Sequence, residues 1–375
     1  MCFYLSPKVT TMQNNFFKYD ITYIALENFK SKGFEITFEV FNLLHASENE
    51  LVQEFISLIG SDELYQSLHY HFNMILSVFS TKKNELLDEY FGWKYSVYGS
   101  RDINLDYFLI EYDIWLQVLD KYLYQSHSSE LSMVYTYLIQ KHNTFKLNIQ
   151  DVHKLHVKEQ YLPVFYQLKA CLLQANKEKF YEIVKQNLHL FSGDIFSFIE
   201  EVVNPLMYEI GYMWQYNTIN VAKEHLATAL TGDIIDLFLL PKSSQKRKRA
   251  LAILSTVGDE SHNLGLKILE KFLNSLGFDA KCLGSKISDK ELIKSIYELR
   301  PPLVLLSVTL ISNLANLQNI VNELKSDTNL FDGLLVVGGQ ALYDGEKLIE
   351  IKGADFSSRS LNELKTFLQQ HGFNQ

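Results

Sequence analysis

From residue 250 onward, short aliphatic runs alternate with stretches of helical spacing, and few folds satisfy that alternation. The runs are 250–257 (ALAILSTV), 279–284 (DAKCLG), 302–309 (PLVLLSVT) and 332–337 (DGLLVV), each suited to a strand buried on both faces. Between them, 263–277, 288–300 and 313–327 carry apolar residues at helical intervals. Strand and helix in strict turn predict a doubly wound, Rossmann-like α/β domain. Ligands of such sheets sit outside the carboxyl ends of the strands, so the chemistry is expected in the loops GDESHNLG, SVTLISN and GGQAL.

Upstream the texture is helical. Residues 157–240 read as a four-helix bundle, with helices near 158–175, 177–189, 194–215 and 219–238. Residues 15–150 form a longer helical domain, in which 63–80 and 105–127 repeat apolar residues every three or four positions, the pattern of a bundle or of globin-like packing. The expected organisation is therefore a helical domain over 15–150, a bundle over 157–240 and an α/β domain over 249–375. The basic run from Lys242 to Arg249 reads as a solvated linker between the last two.

Composition narrows the function classes. A formal charge of −9 opposes the phosphate neutralisation that nucleic-acid binding requires, so no direct DNA binding is expected. No apolar run approaches the roughly 20 residues that span a bilayer, and the first residues lack the layout of a signal peptide, so a cytoplasmic protein away from membranes is expected. Cys2, Cys171 and Cys282 are too scattered for a disulfide framework or a zinc site. Aromatic residues reach 13%, with 25 Phe and 22 Tyr concentrated before residue 215, which suits a helix-packing core or the wall around a large planar chromophore. No nucleophile elbow or P-loop appears, and an enzyme is not expected.

The strongest constellation lies after the first strand. His262 follows Glu260 and precedes Gly265 in GDESHNLG, so an imidazole on a rigid edge can reach a metal, a carboxylate two residues back can orient it, and Gly265 admits a flat ligand near the helix start. Ser307 and Thr309 offer hydroxyls toward the same edge, and Gly338 and Gly339 remove side chains where a ligand tail would lie. Together these residues resemble the cobalamin-binding domain of methionine synthase, methylmalonyl mutase and corrinoid proteins. The resemblance implies cobalamin bound with its own base displaced, His262 as lower ligand to cobalt, and the nucleotide tail along the sheet. Glu260 stands where that family more often has Asp.

The bundle adds a second resemblance. Trp214, nine intervening residues and then Glu224-His225, preceded by Pro205 and Gly211, are similar to the helical cap of cobalamin-dependent photoreceptors of the CarH type. There the Trp covers the upper corrin face and the Glu-His pair flanks the upper axial group, which in that family is typically 5'-deoxyadenosyl. Those regulators commonly place a His after the Trp, whereas this chain has Gln215, which leaves His225 or water as the light-state ligand. They also begin with a DNA-binding helix-turn-helix domain, and the acidic-to-neutral, aromatic residues 1–150 do not match one.

The segment 89–123, ahead of such a core, is similar to the degenerate-globin domain of photocobilins, which pair a bilin with cobalamin. Trp93, Arg101 and Trp115 carry the likeness. It implies biliverdin, with Arg101 pairing a propionate and His69 or His71 bonding the pyrroles. A helical domain whose aromatics pack and whose Arg is exposed accounts for the same residues. No Cys lies within 15–150, so a thioether-linked bilin is not expected unless Cys2 reaches back.

The functional expectation is a cobalamin-dependent light sensor with adenosylcobalamin as cofactor, biliverdin as a second chromophore, a homo-oligomeric assembly, and a change in self-association or partner contact as output. The alternative is a corrinoid methyl-carrier protein of a methyltransferase system, which joins a helix bundle to the same α/β domain.

Overall fold

The computed structural model describes residues 20–149, 155–239, 250–344 and 347–373. The basic run 242–249, Cys2 and the residues before 20 lie outside the described residues. The chain divides into two compact units, one of residues 155–310 with 316–373 and one of residues 20–149 with 311–315.

The first unit joins the bundle to the sheet. Its bundle helices are α8 (Leu162–Leu173), α9 (Lys177–Asn187), α10 (Ile195–Phe198), α11 (Asn204–Gln215) and α12 (Val221–Phe238). Local chemistry sets their starts. Asn176 and Asn220 cap α9 and α12 by accepting the Lys179 and Lys223 N–H groups, and Asp194 accepts from Phe196 and Ser197 at α10. The single helix expected over 194–215 is instead α10, a π-helical turn at Ile199–Val203, and α11. Pro205 accounts for the break, because its ring has no N–H to donate and crowds the carbonyl of the preceding turn.

The sheet consists of β1 (Leu251–Thr256), β2 (Asp279–Cys282), β3 (Leu303–Ser307), β4 (Leu334–Gly338) and β7 (Phe356–Ser358), all parallel, in the order β2-β1-β3-β4-β7. β5 (Tyr343–Asp344) and β6 (Lys347–Leu348) form a small separate hairpin. Helices α13 (Leu264–Ser275), α14 (Asp289–Leu299), α15 (Leu314–Leu324) and α16 (Leu361–Gln370) connect or follow the strands. Ser288 and Ser360 start α14 and α16 by accepting the N–H of Glu291 and Glu363, each three residues on, as in a capping box. One core layer packs Ala252, Leu254, Leu303, Leu305 and Val336 from the strands against Leu266, Phe272, Leu364 and Leu368 from α13 and α16. Strand order reverses direction between β1 and β3, so the crevice outside their carboxyl ends is the geometric site for a ligand.

The second unit is helical: α1 (Tyr23–Ser31), α2 (Gly33–His45), α3 (Glu50–Ile59), α4 (Ser61–Thr81), α5 (Glu85–Gly99), α6 (Tyr107–Tyr122) and α7 (Gln125–Leu147). Its core is aromatic, with Phe55, Phe91, Tyr95, Tyr107, Phe108, Tyr112, Trp115 and Tyr135 at or near zero exposure. Among the described residues no helix is long and apolar enough to cross a membrane.

Candidate functional site

The loop after β1 carries Glu260 and His262, and its geometry is fixed from behind. Glu260 is fully buried. Its Oε1 receives His262 Nδ1 in a very short contact and the His262 backbone N–H at 3.2 Å, while Oε2 accepts the N–H groups of Thr309 at 2.9 Å and Leu310 at 3.0 Å. Burial alone would raise this carboxyl, but the hydrogen bond and charge of His262 and the N–H groups of Thr309 and His262 outweigh it and hold it below the usual range. One carboxylate thus ties the loop after β1 to the loop after β3. Its hold on Nδ1 fixes the imidazole tautomer that leaves Nε2 without a proton.

A cavity of about 660 Å³ opens against this loop, within the range of small-molecule sites. The α/β domain lines it with Ser261, His262, Gly265, Ser307, Thr309 and Gly339; the bundle lines it with Asn204, Met207, Tyr208, Glu224, His225 and Thr228. Glu224 is buried, takes the Thr228 hydroxyl at 3.2 Å, and lies 3.6 Å from Nε2 of His225, whose side chain is largely exposed. Tyr208 donates its hydroxyl to Gln340 Oε1 at 2.8 Å and Lys271 of α13 pairs with Asp236 at 2.9 Å, so the bundle and the α/β domain meet beside the cavity.

A narrower slot of about 220 Å³ continues along the sheet, lined by Gly265, Leu305, Ser307, Val337, Gly338 and Gly339 among others. The three glycines differ in what they permit. A Cβ on Gly265 would meet nothing within 4 Å, so its absence leaves room for a ligand at the start of α13. A Cβ on Gly339 would fall 2.2 Å from the Val308 carbonyl oxygen, and the residue has φ +109°, so this glycine is demanded by the backbone itself. Gly338 would place a Cβ 3.5 Å from Ser358 O, an ordinary contact.

Of the residues singled out in the sequence, His262, Gly265, Ser307, Thr309, Gly339, Glu224 and His225 share the larger cavity, Gly338 lines the slot, and Glu260 stands behind His262. Trp214 sits elsewhere. It is 5% exposed in the bundle and is not among the residues lining the cavity, where Asn204, Met207 and Tyr208 of the same helix take that place. Those three were not legible as site residues, and Gln340 only through its loop GGQAL; the available signal was the spacing of three and four on one face of α11.

Trp93 and Arg101 belong to the helical unit. Trp93 is buried on α5, and Arg101, just beyond it, donates Nη1 to the Val97 carbonyl at 2.5 Å and to Ser100 Oγ at 3.2 Å, capping its own helix. His69 bonds Asn73 at 3.0 Å. His71 is fully buried, bonded to Glu111 Oε1 at 3.0 Å and stacked on Trp115 with centroids 4.9 Å apart. Lys94 meets the same Glu111 oxygen at 2.9 Å. Burial pulls His71 down to about 4, and Lys94 and His71 overcome burial to hold Glu111 at about 2. His71 Nε2, Trp115 Nε1 and Tyr135 OH are buried in this core with no protein partner.

Comparison with known proteins bears on the first unit. Residues 250–359 and 164–237 each match a B12 binding domain. The chain is 28% identical over 152 residues to the HTH-type transcriptional repressor CarH of Myxococcus xanthus, covering 40% of this chain and 50% of that one, so it spans about half the length of this curated relative. It is 22% identical over 143 residues to dimethylamine corrinoid protein 1 of Methanosarcina acetivorans, covering 38% of this chain and 67% of the relative. Among solved structures it is similar to the monomethylamine corrinoid protein of Methanosarcina barkeri, with a TM-score of 0.47 and 18% identity over 56% of this chain and 99% of that one. The matched domains support cobalamin or corrinoid binding by this chain.

Proposed function

We propose that this chain is a cobalamin-dependent light sensor that holds adenosylcobalamin in the cavity between bundle and sheet, with His262 Nε2 as the lower ligand to cobalt. The observation that carries this reading is that the buried Glu224, with His225, lines the same cavity as the Glu260-anchored His262. Glu224, which already accepts the Thr228 hydroxyl, adds a carboxylate to the cavity wall, and a ribosyl hydroxyl beside the upper face is a donor it can accept from. Bound adenosylcobalamin supplies a cobalt–carbon bond that light breaks. The residues do the rest: Glu260 orients His262, Gly265 admits the ring edge, and the bundle shelters the upper group until its loss biases cap and sheet toward a second arrangement. The output is a change in self-association, and the chain acts as a sensor rather than an enzyme.

The sensor reading extends to the helical unit, where biliverdin is the second chromophore. Its support is the aromatic core around His71 Nε2, Trp115 Nε1 and Tyr135 OH, buried polar atoms that a tetrapyrrole is equipped to satisfy. The second reading is a corrinoid methyl carrier, favoured by the burial of Trp214 away from the cavity and by the likeness to the dimethylamine corrinoid protein.

Reconstitution with adenosylcobalamin and biliverdin in darkness, removal of free ligand, and absorption spectra before and after green illumination separate these readings. The sensor reading expects a His-ligated cobalamin spectrum that changes irreversibly on illumination, a co-eluting bilin band, and loss of the His-ligated form in His262→Ala. Cobalamin no more photosensitive than the free cofactor, with no bilin retained, gives the protein to the carrier reading.

A further inference from the structure

The loop after β3 is pinned along its whole course. Val308 still belongs to the sheet edge, with its N–H bonded to Gly338 O at 2.9 Å and its carbonyl accepting from Ala341 at 3.2 Å. Thr309 and Leu310 give their N–H groups to Glu260, the carboxylate that holds His262. The chain then leaves the α/β domain, because Ile311–Ala315 belong to the helical unit. Within that unit Ser77 of α4, fully buried, donates its hydroxyl to the Ser312 carbonyl at 2.8 Å and accepts the Ala315 N–H at 3.2 Å. One hydroxyl thus fastens both the short turn Ile311–Asn313 and the first turn of α15, a double duty that needs a group able to donate and accept at once.

Only Ile311 separates Leu310, held by Glu260, from Ser312, held by Ser77. Every residue from Leu310 to Ala315 is at most 6% exposed, so this stretch is packed on all sides and has no slack in which a shift at one end could be lost. We propose that Ser77 is a positioning residue for the cobalt ligand. By fixing Ser312 and Ala315 it fixes the Thr309 and Leu310 N–H groups, these fix the Glu260 carboxylate, and the carboxylate sets the ring of His262. None of the residues lining the main cavity comes from α4, so Ser77 acts through the loop and not on the cofactor. The inference rests on the reading of His262 as lower ligand. Because coupling between two sites is reciprocal, ligation through His262 in turn tightens α4, the helix that also carries His71.

Hydroxocobalamin is titrated into the full chain, Ser77→Ala, His262→Ala and the double variant, following absorbance and checking each fold by circular dichroism. Ser77→Ala is expected to weaken binding about 3- to 10-fold when His262 is present and by less than about 2-fold in the His262→Ala background, where no ring is left to position. Equal weakening in both backgrounds makes Ser77 merely structural and overturns the proposal, as does no weakening in either. Ser67→Ala removes another buried hydroxyl contact of α4, with Tyr98 at 3.3 Å, and is expected to leave binding within about 2-fold of wild type; a loss as large as that of Ser77→Ala also overturns the proposal. Where Ser77→Ala fails to fold, hydrogen exchange of the wild-type chain decides: peptides covering 309–315 and α4 around Ser77 are expected to exchange at least about 3-fold more slowly once hydroxocobalamin is bound, and unchanged exchange there overturns the coupling. A wild-type chain that binds hydroxocobalamin no more tightly than His262→Ala removes the lower-ligand reading itself, and the proposal with it.

Discussion

Replacing Glu260 by Gln probes the site at its most constrained point. The carboxylate accepts four hydrogen bonds, from His262 Nδ1 and from the backbone N–H groups of His262, Thr309 and Leu310. A Gln oxygen can still serve the Thr309 and Leu310 N–H groups, but the amide NH₂ then faces His262. An NH₂ group cannot accept the Nδ1 proton, so the imidazole must carry its proton on Nε2, the nitrogen that ligation requires bare. Outer-sphere partners of this kind typically change metal affinity by about 10- to 100-fold, or roughly 1.4 to 2.7 kcal/mol. The expectation is that Glu260→Gln still takes up cobalamin but shows a spectrum without His ligation, with the His-ligated fraction reduced by that factor. Glu260→Asp, which keeps the charge, should retain His ligation. A Glu260→Gln protein with the wild-type spectrum and affinity would refute the tautomer reasoning.

Three further outcomes follow from geometry already described. Lys94→Met removes the ammonium paired with Glu111 and leaves that carboxylate with His71 in a site at most 1% exposed, which should destabilise the helical unit by about 3–5 kcal/mol in urea melts, a loss that the double variant with Glu111→Leu should largely recover. His71 titrates near 4 in the folded chain against 6.5 when free, so the unfolded chain binds the extra proton and stability falls as pH drops from about 6.5 to 4, by on the order of 3 kcal/mol; Glu111, held at about 2 against 4.5, extends the loss below pH 4.5. Chemical denaturation of His71→Leu across that range should show the upper part of the slope flattened, and an unchanged slope would contradict the assignment. Gly339→Ala should lower the melting temperature, because the left-handed backbone and the 2.2 Å approach to Val308 O leave a methyl group no room, at about 1–3 kcal/mol or more.

The sheet was legible because its central strands are dense in Leu, Val and Ile: β1 and β3 fall inside the runs 250–257 and 302–309, and β4 overlaps the run 332–337 and ends one residue beyond it at Gly338. β7 escaped notice for the opposite reason, since Phe356-Ser357-Ser358 is a three-residue edge strand paired to β4 alone, with no β-branched residue. His262 and Glu260 stood out because polar residues in a loop at the end of an apolar strand have no packing role. Four hydrogen bonds converging on Glu260 could not be read in sequence, because two donors lie about fifty residues away. Trp214 shows the limit of spacing arguments. Its distance from Glu224 matches the photoreceptor cap, yet the turn of α11 gives the cavity to Asn204, Met207 and Tyr208 and the interior to Trp214.

The π-helical turn at Ile199–Val203 amounts to one residue more than an α-helix would use over the same rise. Deleting one residue there would bring the turn to the α-helical count and rotate α11 by about 100° relative to α10. Tyr208 would swing away from Gln340, and a different row of side chains would meet the cavity. The identity of this wall is therefore stored in chain length as much as in residue type. Two proteins with the same residues on either side of this turn, differing by a single gap within it, would present different chemistry to the same cofactor.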